Sequence, residues 1–220
     1  MSDAPKTGAE AMGVAPNARL APGVTRKDVQ IGDMAVELLR RGEVMHFRPK
    51  GHSMSPMIRE YEEVLTKSVD PRDLNTGDIV VLYQPNGGIV IHRLTRTVRR
   101  RDGIEIWTKG DGGLRWDLPA KLSVCVGRAI AVRKPKQTLD LTSSYWRTAG
   151  YLAAQLSLFQ TFVLRIPGFG ADWDRDDRKG FQRFWLHVAK MPFRGFMHLC
   201  LLGDRIRLFF GRKCAPAEQT

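Results

Sequence analysis

This 220-residue chain is short of three things: cysteine, apolar runs and acidic charge. Cys125, Cys200 and Cys214 are odd in number and lack metal-ligand spacing. That argues against a disulfide framework and a zinc site, and it is compatible with a reduced compartment. Met1 to Thr25 is rich in Ala, Pro and Gly and carries no apolar h-region. It reads as a disordered lead-in rather than a secretory signal. Thr148 to Leu164 is uncharged, but it is interrupted by Gln155, Ser157 and Gln160 and is only 17 residues long. A spanning helix needs roughly 20 predominantly apolar residues, so no transmembrane helix is expected. Asp and Glu number 23 against 35 Lys and Arg, leaving a net charge of +12. That balance favours an anionic partner, either nucleic acid or an acidic lipid surface.

What is present is a chain long enough for one good core with an appendage. Val29, Met34, Ala35, Leu38 and Leu39 recur at helical spacing over Asp28 to Arg41, and Gly42 follows as a stop. Short strand signals then crowd together: Val44 to Arg48, Glu63 to Ser68, Asp78 to Gln84, Gly88 to Arg99, Ile104 to Lys109 and Ser123 to Arg133. Turn chemistry separates several of them, as at Asn75-Thr76-Gly77-Asp78 and Pro85-Asn86-Gly87-Gly88. This pattern predicts a mainly β fold, an antiparallel β-barrel or sandwich.

Near Tyr145 the composition changes and the β-like alternation stops. Gly180 to Phe210 mixes Phe181, Phe184, Trp185, Phe193 and Phe196 with Arg183, Lys190, Arg194 and Arg205. The mixture predicts a basic amphipathic helical pair at a membrane interface. The expected organisation is a lead-in over 1–25, a β-rich domain over 26–144, an α-helical aromatic and basic extension over 145–213 and a tail over 214–220. Arg96, Arg99, Arg100 and Arg101 lack the interleaved aromatics of a nucleic-acid site, so nucleic acid is not the expected partner. His187 and His198 are separated by Pro192 and Gly195, which argues against a shared metal. The acidic loop around Trp173 lacks the glycine and terminal glutamate of a calcium loop.

The residues that carry chemistry come in three segments. Gly51-His52-Ser53-Met54-Ser55-Pro56-Met57-Ile58 places a hydroxyl in a sharp turn where backbone N–H groups can face a developing oxyanion. Taken alone this marks an ordinary turn more often than a nucleophile. Ile91-His92-Arg93 sets an imidazole in an alternating strand, on the face of Val90 and Leu94. A buried strand histidine is more often a core residue than a base. Thr108-Lys109-Gly110-Asp111, running on to Asp117-Leu118-Pro119, supplies two carboxylates. A serine hydroxyl needs a base to take its proton and a third group to hold that base, and the three segments offer one of each in order.

Together these segments, over about Phe47 to Val132, resemble the type I signal peptidases, in the archaeal and endoplasmic-reticulum variety whose base is histidine. The resemblance implies the coiled β fold of signal peptidases and LexA-like proteases, and cleavage of leader or signal peptides after small residues, with no cofactor or metal. It makes Ser53 the nucleophile and His92 the base. Either Asp117 or Asp111 then orients the imidazole; position favours Asp117, with Asp111 as a structural or supporting carboxylate. An imidazole, with an ordinary pKa of about 6.5, serves as base without the desolvation that lysine requires. The chain departs from the bacterial enzymes at Gly51, where they carry a serine that helps the oxyanion hole. The hole would rest on backbone N–H groups of Ser53 and a neighbour, with His52 a bystander. The expected partners are a polypeptide substrate and an anionic membrane surface, with a peripheral or cytoplasmic location. Two rivals stand beside this reading. One is a LexA-like self-cleaving regulator, against which the proline in Leu20-Ala21-Pro22-Gly23 counts. The other is a non-catalytic membrane-surface binder on a peptidase scaffold.

Overall fold

The structure, a computed structural model, describes residues 25–84, 88–164 and 180–213. The lead-in, the Pro85–Gly87 turn, the acidic loop around Trp173 and the tail lie outside the described residues, as do the side chains of Phe181, Phe184 and Trp185.

Helix α1 (Arg26–Arg40) ends as its sequence dictates. Gly42 takes φ +87°, its N–H donates to the Leu39 carbonyl, and the Glu43 N–H reaches back to Leu38. That closing motif needs a left-handed residue, which glycine supplies without strain. Ala35, Val36 and Leu39 are buried. Met34, counted above in the apolar face, is instead exposed, because the helix turns its Ala35–Leu39 side to the sheet.

The strands are β1 (Met45–Phe47), β2 (Glu63–Lys67), β3 (Ile79–Tyr83), β4 (Ile89–Arg100), β5 (Gly103–Lys109), β6 (Ala120–Lys121), β7 (Cys125–Lys134) and β8 (Gln137–Asp140). They form one antiparallel sheet in the order β1-β2-β7-β3-β4-β5-β6, with β8 on the other part of β7. The fold is therefore mainly antiparallel β, a single sheet curled into a half-barrel. Register shifts at Leu65/Thr66, Val81/Leu82 and Leu94/Arg96 contribute to the curl, because a bulge increases local twist. All five residues of β3 are buried, and it is apolar on both faces. Ile79 and Val81 join the larger core, while Val80 and Leu82 pack with Leu94 and Ile106 in a smaller one.

Two helices complete the fold, α2 (Ser144–Leu164) and α3 (Gly180–Lys213). Trp146, Ala149 and Ala153 of α2 and Phe193 and Met197 of α3 share the larger core with the strands. The expected helical pair over Gly180 to Phe210 is one helix running through Pro192. Phe193 and Met197, just past the proline, are both 1% exposed, and that burial outweighs the hydrogen bond a proline cannot make. Helix α2 meets the sheet at a glycine pair. A side-chain carbon on Gly150 would stand 2.8 Å from the Gly77 carbonyl oxygen.

Candidate active site

The Ser53 turn is held from both sides. Gly51 adopts φ +94° and its N–H donates to Glu60 Oε1, while the Ser55 N–H closes on the His52 carbonyl. Met54, Met57 and Ile58 are buried in the larger core beside Trp146, so the apolar half of the motif anchors it. Ser53 is left exposed at the tip. Among the described residues, no hydrogen bond engages its N–H or its hydroxyl. No direct hydrogen bond joins the Ser53 and His92 side chains. His52, which is exposed, points instead toward Glu60 at 3.9 Å.

His92 lies on β4 opposite Val80 of β3. Its Nδ1 is 2.5 Å from Asp117 Oδ2. A carboxylate can only accept, so Nδ1 carries the proton and the lone pair of the neutral ring is on Nε2. Asp117 is held in turn. Its Oδ2 accepts from the Thr108 hydroxyl at 2.6 Å, and its N–H donates to the Thr108 carbonyl at 2.9 Å. Trp107 and Trp116, packed edge to face at 5.4 Å, fasten the loop before Asp117 to β5.

Gly110 separates the imidazole from the serine turn. A side-chain carbon there would stand 3.1 Å from His92 Nε2 and 2.5 Å from the Ser53 carbonyl oxygen. Gly112 repeats the close approach: its N–H donates to the Ser53 carbonyl at 2.7 Å, and a side-chain carbon would meet the His52 carbonyl at 2.7 Å. The glycines of Lys-Gly-Asp-Gly-Gly therefore let the two backbones touch.

Asp111 is elsewhere. It is buried and takes a two-pronged bond from Arg93, at 2.7 Å from Nε and 2.6 Å from Nη2. Arg93 Nη1 also donates to the Gly77 carbonyl, which ties the Gly110–Gly113 loop to the Gly77–Gly150 contact. Lys109, 1% exposed, sits between the sheet and the helices, 3.4 Å from Gln160 Oε1 and 5.5 Å from the Phe193 ring. Burial pushes its amine down to about 8, against a smaller opposing pull from Asp111. Cys125 is no rival nucleophile, since burial pushes its thiol up to about 11. No group of three His, Cys, Asp or Glu side chains among the described residues could hold a metal ion.

The structure thus brings Ser53, His92 and Asp117 to one place and sets Asp111 behind them. Sequence reasoning gave no role to Thr108, Arg93, Gly110 or Gly112. All four stand in or beside the quoted motifs, but strand pairing decides which way the Arg93 and Thr108 side chains turn, and the two glycines matter only through a contact with a turn distant in sequence. No protein-family profile, curated protein or solved structure matches the chain.

Proposed function

We propose that this chain is a serine endopeptidase of the type I signal peptidase kind, cutting leader or signal peptides after small residues. The observation that carries the reading is the His92 Nδ1 contact with Asp117 at 2.5 Å, with Nε2 turned toward the Ser53 turn across a glycine. In this mechanism Ser53 Oγ attacks the scissile carbonyl while His92 Nε2 takes the hydroxyl proton. Asp117 holds the imidazole and stabilises its charged form. The Ser53 N–H, which has no other hydrogen bond among the described residues, faces the oxyanion with a neighbouring amide. His92 then gives its proton to the leaving amine, and water releases the acyl-enzyme by the same route. The missing Ser53–His92 bond is common in substrate-free sites, where catalytic hydrogen bonds tighten only around substrate.

A non-catalytic surface binder built on this scaffold is the second reading, and the exposed apolar residues of α2 and α3 favour it. A peptide library of leader-like sequences with small residues before the cut separates the two. Wild-type protein should cleave it, and Ser53→Ala and His92→Ala should each lose about 10³-fold or more. Equal turnover by Ser53→Ala would remove the serine mechanism.

A further inference from the structure

Helices α2 and α3 each use one side to complete the core and leave the opposite side bare. On α3 the bare side carries Met191, Leu199, Leu202 and Ile206, at 66%, 69%, 52% and 48% exposure. At about 100° per residue these four fall within a stripe about 80° wide, facing away from Phe193 and Met197. Tyr151 and Phe159 are exposed in the same way on α2. Exposed Arg194 and Arg205 border the stripe along one edge on α3, and Arg147 is exposed on α2. The only acidic residue of the two helices, Asp204, is buried and paired with Arg207.

We propose that the outer face of α2 and α3 docks on an anionic lipid bilayer, with the α3 stripe entering the interface and the arginines meeting headgroup phosphates. Four large aliphatic side chains spread over about 22 Å of helix are costly to leave in water. A basic rim with no exposed acid complements anionic lipid. A nucleic acid would satisfy the arginines but give Leu199, Leu202 and Ile206 nothing to bury against. A second copy docked through the same face would bring Arg194 and Arg205 toward their own mates, like charge against like.

The face is placed to leave the candidate active site open. Gly150 of α2 lies against Arg93, where a side-chain carbon would be 3.3 Å from Nη1. Successive residues of β4 point to opposite sides, so His92 turns away from α2. The proposal does not depend on Ser53 being a nucleophile.

Co-sedimentation of the full chain with phosphatidylcholine vesicles, with and without phosphatidylglycerol, tests it. Wild-type protein should partition onto the anionic vesicles only, and less so as salt rises. The triple variant Leu199→Gln, Leu202→Gln and Ile206→Gln, all at exposed positions, should keep the wild-type melting temperature and bind about tenfold more weakly or worse. The double variant Arg194→Gln and Arg205→Gln should weaken binding and flatten its salt dependence. Wild-type protein that ignores anionic vesicles, or a triple variant that binds them equally well, would overturn the proposal. So would a wild-type dimer that the triple variant turns into a monomer, which would give the face to a second copy.

Discussion

Asp111 and Asp117 are six residues apart in sequence, yet they do different work, and the difference can be measured. Asp117→Asn leaves an amide beside His92 Nδ1, which favours the wrong ring tautomer. Cleavage should fall by about 10⁴-fold with little change in stability. Asp111→Asn uncouples a buried arginine instead. It should cost about 3–5 kcal/mol of stability, read by urea unfolding, because Arg93 is left without its charge partner. If the two variants exchanged phenotypes, the assignment of the carboxylates would be wrong. Lys109 gives a second handle. Unfolded, it holds its proton to an ordinary lysine value near 10.5; folded, only to about 8. Between those values the unfolded chain binds more protons, so this group's penalty is full below about pH 8 and fades as pH rises toward 10.5. Lys109→Met should therefore stabilise the protein near pH 7 by about 1–3 kcal/mol, and its advantage over wild type should shrink by pH 10. An advantage that stays constant with pH would mean that the amine is not buried as described. At this scale the sequence held the nucleophile, base and carboxylate candidates in its motifs. Arg93 and Thr108 were not legible as partners, because their roles follow from how β4 and β5 pair and where a bulge shifts the register.

At the scale of elements, the site is a contact between a turn and a loop. Gly110 is the hinge of that claim. Gly110→Ala forces a methyl group against the Ser53 carbonyl and His92 Nε2. Cleavage should drop by about 10²-fold or more, with a stability loss of about 1–3 kcal/mol. Activity near wild type would show that the turn and the imidazole do not meet there. The long strands were readable from alternation, and β3 from its uninterrupted apolar run. The two-residue β6 was not, because so short a strand carries no periodicity and is defined only by its pairing with β5. Strand β8 follows the Pro135-Lys136 turn and borrows its register from β7. Helix α3 misled for a related reason: Pro192 is a local stop signal, and only the burial of Phe193 and Met197 just past it overrides it.

At the scale of the whole molecule, the helices and the sheet are one body. Trp146, Ala153, Phe193 and Met197 pack in the same cluster as Met57, Val64 and Val132. Removing residues 145–213 would open the core beneath the Ser53 turn, so the role of the helices has to be tested by changing their outer face. The net charge of +12 pointed to an anionic partner, but only the structure divides the aromatic and basic helices into a buried side and a bare one. No helix among the described residues is long and apolar enough to cross a membrane. The central claim, that Ser53 cuts polypeptides, is tested most directly by comparing protein N-termini by mass spectrometry in cells carrying wild-type protein and cells carrying Ser53→Ala. The account predicts a defined set of precursors left uncut in the variant, each cleaved after a small residue in the wild type. Identical N-terminal profiles, with both proteins expressed, would contradict it.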